Sequence, residues 1–220
     1  MNKKNVEKIL NILIIILIIL LSYMFIDNKN NSQVKENNSK IYDLNYYKDY
    51  YLNEDIIGSI KINDTKIDTL LVKSNNNEYY LNHSINKEYD IKGSIFVDYR
   101  TNLNSKQINI YGHNSKEYDL PFKELEKYKD KAFYDSHKMI EIWNGKEVIN
   151  YEIFSVQIVA DNSEHMNINV NDENHLEKLS SSIYNTGVVA STNDQILILQ
   201  TCNYNPNNTY ILVIAKRVNY

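Results

Sequence analysis

Residues 195–216 read Gln-Ile-Leu-Ile-Leu-Gln-Thr-Cys-Asn-Tyr-Asn-Pro-Asn-Asn-Thr-Tyr-Ile-Leu-Val-Ile-Ala-Lys. Two short apolar runs, Ile196 to Leu199 and Ile211 to Ala215, flank a polar loop rich in Asn. Runs of this length without polar alternation are the pattern of strands buried on both faces. If the loop simply reverses the chain, the two strands are neighbours. Cys202, at the end of the first, then faces the start of the second near Tyr210. Cys202 is the only cysteine in the chain. A lone thiol in such a strand is either an inert small hydrophobe or, with a base beside it, a nucleophile.

Working outward, the chain from Ile56 onward has a period of two. Ile57 to Ile62 and Ile67 to Val72 are separated by Asn63-Asp64-Thr65, a hairpin turn. Gly93 to Tyr99 and Gln107 to Tyr111 are strand-like, and Met139 to Trp143 joins Glu147 to Ala160 through an Asn144-Gly145 turn. Three short helices are expected. One lies in Ile41 to Asn53, with Leu44, Tyr47, Tyr51 and Leu52 on the packed side; the others are Pro121 to Asp130 and Asn171 to Tyr184, the last with Leu176, Leu179 and Ile183 on one face. About eight strands with peripheral short helices make a mainly-β fold, a closed or nearly closed barrel, over residues 42–220.

Residues 1–8 carry Lys3, Lys4 and Lys8, and Ile9 to Ile26 is almost unbrokenly apolar. At 1.5 Å per residue that run reaches about 27 Å, enough to cross a bilayer. No small-x-small cleavage site follows it, so an uncleaved transmembrane helix at 9–26 is favoured over a signal peptide. The preceding lysines put the N-terminus in the cytoplasm and the domain outside, joined by a polar flexible tether at 27–41. In that oxidising setting an unpaired cysteine is conspicuous.

The formal net charge of -4 leaves no basic surface for nucleic acid. One cysteine excludes an intramolecular disulfide and a thiolate-rich metal site, and no His or carboxylate pair falls at ligand spacing on a helix. No metal or other cofactor is expected. A base for Cys202 must come from five histidines. His83, His137 and His165 sit in polar, loop-like sequence, and His175 falls on the polar side of its helix; all four are expected to be solvated. His113 differs, standing one glycine past a strand end in Ile108-Asn-Ile-Tyr-Gly-His-Asn114.

Tyr111-Gly-His-Asn114, the Gly93-Ser-Ile-Phe-Val-Asp-Tyr-Arg100 segment before it, and Leu199-Gln-Thr-Cys202 followed by Val-Ile-Ala-Lys resemble the signature of class B sortases. The likeness runs from about residue 42 to the end, and the anchor and tether fit it too. It implies an eight-stranded sortase-type barrel and a membrane-anchored cysteine transpeptidase. Such an enzyme cleaves a C-terminal sorting signal on a secreted protein and joins it to a peptidoglycan-precursor or pilin amine. By the same resemblance Cys202 is the nucleophile, His113 the acid and base, and Asn77 and Leu81 line the signal-binding groove. One position departs. The family arginine at the start of the last strand is here Tyr210, a neutral donor in place of a charged fork. Arg217 lies seven residues further on and on the opposite face of a regular strand. Arg100 matches a position outside the catalytic pair. Either Tyr210 serves, another cation reaches the site, or activity is weak. Two rival readings therefore stand beside the transpeptidase: a weakly catalytic homologue that binds signals or assembly partners, and a cysteine hydrolase releasing its product to water. Gln200 stands two residues before the cysteine, where similar proteins often carry a small residue.

Overall fold

The computed structural model describes residues 43–160, 167–168, 173–206 and 208–218, so the anchor expected at 9–26 and the tether at 27–41 lie outside the described residues. Among the described residues no helix is long and apolar enough to cross a membrane. Residues 44–220 belong to one compact unit.

Eight strands close into a barrel: β1 (Ile56–Lys61), β2 (Asp68–Val72), β3 (Phe96–Val97), β4 (Gln107–Tyr111), β5 (Met139–Trp143), β6 (Val148–Ala160), β7 (Ile196–Asn203) and β8 (Thr209–Arg217). Their order around the barrel is β1-β2-β3-β4-β7-β8-β6-β5. The pairs β2/β3 and β4/β7 are parallel and the rest antiparallel. Among the described residues three α-helices, α1 (Leu44–Tyr51), α2 (Lys131–Ser136) and α3 (Glu173–Leu179), and two 3₁₀ helices, Tyr79–Leu81 and Pro121–Lys129, accompany the barrel.

The period of two sorts each strand into an inner and an outer set. Leu197, Leu199, Ile211 and Val213 fill the barrel with Ile108, Ile110 and Phe122. Their neighbours Ile196, Ile198, Leu212 and Ile214 point outward and are covered by Leu176 and Leu179 of α3, with Phe154. β7 and β8 are therefore apolar on both sides because both sides are roofed, as their unalternating sequence requires. Each fully buried Leu or Ile here contributes about 1.5–3 kcal/mol. A third cluster, Ile56, Val72, Tyr80, Phe96 and Tyr111, receives Leu44, Tyr47 and Tyr51 of α1.

Several expectations change in detail. The Gly93–Tyr99 segment keeps only two strand residues. Gly93 takes φ +61 against the Tyr80 carbonyl, where a Cβ would stand 2.5 Å from the oxygen, and Asp98 turns the chain by accepting from the Thr101 N–H. The helix expected at 171–184 is described only as Glu173–Leu179, with 171–172 outside the described residues. Beyond Leu179 the backbone turns away, and the Ile183 N–H donates to the Val156 carbonyl of β6. Leu52 does not pack. It follows the end of α1 at φ 50 and is 88% exposed. α2 was not expected at all; the Asp130 side chain caps it by accepting from the Ala132 N–H.

Three histidines are less solvated than their local sequence suggests. His175 is buried on α3, its Nε2 3.1 Å from Gln107 Oε1, because the outer face of β4 is itself polar there. His83 stacks on Tyr79 and His137 on Phe133, each half-buried. His165 lies outside the described residues.

Candidate active site

The site is built where β4 and β7 run side by side in parallel. Gln107 pairs with Ile196 and Tyr111 with Gln200, a constant offset of 89 residues. The loop after β4 stays clamped in the same register. The Gly112 N–H donates to the Gln200 carbonyl at 3.3 Å, and Thr201 Oγ1 donates to the Gly112 carbonyl at 2.8 Å. Carried two residues past the end of β4, the same offset aligns His113 with Cys202. Parity places both on the outer face, since Ile108, Ile110, Leu197 and Leu199 are the inward set.

Gly112 is required by space. A Cβ there would lie 2.6 Å from the ring of Phe122, which is fully buried inside the barrel end. The strand therefore approaches the 3₁₀ helix closely before delivering His113 to the outer face. His113 is half-buried, and its Nε2 lies 2.7 Å from the Leu81 carbonyl oxygen. A carbonyl only accepts, so Nε2 carries the proton and donates. Nδ1 of the neutral ring is then left for proton transfer.

Asn114 locks the two catalytic candidates' segments together. Its Nδ2 donates to the Cys202 carbonyl at 2.9 Å and to Glu126 Oε1 at 2.9 Å, while its backbone carbonyl accepts from the Tyr204 hydroxyl at 2.9 Å. Burial raises the Tyr204 phenol, and negative charge at Cys202, Glu126 and Glu117 pushes it the same way. The Lys116 ammonium lies 5.0 Å over the Tyr204 ring. Lys129 donates to Asn203 Oδ1 at 2.6 Å and reaches the Asn205 carbonyl, bracing the β7–β8 loop. None of Asn114, Tyr204 and Lys129 was singled out from sequence. Asn114 follows His113 directly and Tyr204 follows Cys202 by two, so adjacency to the pair was the only available signal.

Cys202 is partly exposed and pairs with Tyr210 of β8, the register that a simple loop reversal implies. Tyr210 packs its ring against the outer apolar cluster. Arg217 lies at the far end of β8, opposite Tyr151 and 3.9 Å from Glu147. Arg100 donates to Asp98 through Nε at 2.9 Å and Nη2 at 2.7 Å. Asp98 is a buried hub, accepting also from the Tyr111 hydroxyl at 2.8 Å and from Asn77 Nδ2 at 3.1 Å. Burial works to raise the Asp98 carboxyl, but the hydrogen bonds from Arg100, Tyr111 and Asn77 outweigh it and hold it below its ordinary value. Asn77 thus braces the loop before the short 3₁₀ helix Tyr79–Leu81, its Oδ1 accepting from the Tyr99 N–H at 2.9 Å. Leu81 meets His113 through its backbone, with its side chain 39% exposed. Among the described residues no group of three or more His, Cys, Asp or Glu could hold a metal ion.

The sortase domain pattern matches residues 60–218. The chain belongs to the sortase family. It is 36% identical over 159 residues to sortase B of Listeria monocytogenes, covering 69% of this chain and 64% of that protein; the chain thus spans just under two thirds of that relative's length. The crystal structure of Clostridium perfringens sortase B matches with TM-score 0.72 at 33% identity, covering 79% of this chain and 98% of that one. A Staphylococcus aureus sortase B–substrate complex matches with TM-score 0.72 at 28% identity, covering 80% and 84%. The eight-stranded closed barrel with short peripheral helices is the sortase fold expected from the sequence. Within this sortase domain, the segment after β4 is tied to the end of β7 by the Asn114 bond to the Cys202 carbonyl, and Tyr210 of β8 pairs with Cys202. Arg100 and Arg217 are each engaged elsewhere.

Proposed function

We propose that this sortase is a membrane-anchored cysteine transpeptidase whose nucleophile is Cys202 and whose acid and base is His113. The observation that carries the reading is the β4–β7 register, extended by the Thr201–Gly112 hydrogen bond and tied by Asn114 Nδ2 to the Cys202 carbonyl, which supports a pairing of His113 with Cys202. The His113 ring takes the Cys202 thiol proton as Sγ attacks the scissile carbonyl of a C-terminal sorting signal, and it passes that proton to the leaving amine as the C–N bond breaks and the acyl-thioester forms. The same ring then takes a proton from the incoming amine while the thiolate departs, the reversal that microscopic reversibility demands. The acceptor is a peptidoglycan-precursor or pilin amine, and the cargo is a secreted protein. A substrate-bound sortase B of Staphylococcus aureus supports a peptide signal as the substrate class. The anchor at 9–26 places residues 42–220 outside the cell, with the N-terminus cytoplasmic.

The test is intact-mass spectrometry of the protein mixed with a library of sorting-signal peptides, with Cys202→Ala as control. The expected result is an acyl adduct on the parent alone, discharged faster by added amine than by water. Discharge indifferent to amine would make the protein a hydrolase. A second reading, a signal-binding homologue of weak activity, is favoured by Tyr210 in the arginine position; binding of peptides without any adduct would establish it.

A further inference from the structure

Gln200 is 6% exposed, and its Oε1 is a buried oxygen with no hydrogen-bond partner among the described residues. It stands on the outer face of β7 with Cys202, between Tyr111 of β4 and Leu212 of β8. Buried carbonyl oxygens are paired in the great majority of native sites, because an orphan acceptor forfeits its hydration and recovers nothing. Apolar residues would satisfy this face at no such cost, as Ile198 and Ile196 do two and four positions earlier on it. An acceptor held there unpaired is poised for a donor that arrives from outside the chain.

Resting on the transpeptidase reading, we propose that Gln200 is a specificity-determining residue whose Oε1 accepts a hydrogen bond from a side-chain amide or hydroxyl of the sorting signal. Two strand residues separate Gln200 from Cys202, about 6.8 Å, which is also the length of about two residues of an extended peptide. The donor therefore lies within two residues of the bond that is cut. An apolar isostere at that signal position leaves the acceptor buried and unpaired in the complex, and a site built around a hydrogen bond rejects such an analogue strongly.

The experiment compares acylation of Cys202, as kcat and KM, for paired peptides that differ only in Asn, Gln, Ser or Thr against an apolar isostere at each position near the scissile bond. The enzymes are the parent and Gln200→Met, and peptide binding to Cys202→Ala is measured alongside. The parent should prefer a donor-bearing peptide by about tenfold or more at one position. Gln200→Met should lose that preference mainly through KM, and its unliganded Tm should not fall, since it removes an orphan acceptor and keeps the volume. An unchanged preference in a folded Gln200→Met that still acylates overturns the inference and leaves the transpeptidase intact. Absence of both adduct and binding for every peptide overturns the transpeptidase reading and this inference with it.

Discussion

At Tyr210 the chain places a phenol across from Cys202; on the proposed transpeptidase reading this is the position from which a donor would meet the negative charge that an acyl-transfer transition state gathers on oxygen. Its ring leans on the outer apolar cluster, which favours packing over charge stabilisation. Tyr210→Arg should therefore raise the rate of Cys202 acylation by about tenfold or more in single-turnover assays, since an oxyanion donor is worth about 2.7–4 kcal/mol. No increase would mean that this position does not face the oxyanion. His113→Ala should lower the rate by about 10²–10⁴, the range of general acid–base contributions. Asn114→Ala removes the donor that ties the His113 segment to the Cys202 carbonyl, so kcat should fall by about tenfold with KM little changed.

Among the elements, the junction between β4 and the 3₁₀ helix is the tightest point of the site. A methyl group at residue 112 has no room beside Phe122, and a backbone that retreats from the ring shifts His113, the next residue. Gly112→Ala should cost about 1–3 kcal/mol in urea unfolding and depress activity further than that loss of stability explains. Adding Phe122→Leu should return part of the activity if the clash is the cause. The segment before β4 is organised differently, by a charge. Asp98 draws Arg100, Tyr111 and Asn77 onto one carboxylate, which holds the Tyr79–Leu81 turn near β4 and so presents the Leu81 carbonyl to His113.

For the molecule as a whole, that carboxylate should dominate the acid limb of stability. Its folded pKa lies below the unfolded value, so its contribution is fully present above the unfolded pKa of about 3.9 and is lost as pH falls through the lower folded value. Asp119 and Asp135 are also lowered, by hydrogen bonds from Lys66 and Lys131, but both pairs are exposed and fade with salt. Acid unfolding followed by circular dichroism should thus shift little between low and moderate salt. Asp98→Asn should flatten it below about pH 4 while lowering stability at pH 7 by about 3 kcal/mol. A Leu199→Ala change, by contrast, opens the barrel interior and should cost about 2–5 kcal/mol at any pH.

The sequence by itself determined the barrel class, most strand positions and the Cys202–Tyr210 pairing. These rest on local periodicity and on a short loop that can only reverse the chain. It also marked His113, since a glycine past a strand end is a local feature. The rest depended on contacts between distant segments. His175 looks polar-facing in its own helix and is buried only because Gln107 of β4 lies beneath it. Gly93 to Tyr99 reads as a strand until the Asp98 network turns it. Asn77 is brought onto Asp98 from 21 residues away, where Arg100 also donates. Partners of this kind are chosen by the register of strands 89 residues apart, and a register is an energy of the whole closed sheet, which no single stretch of chain contains.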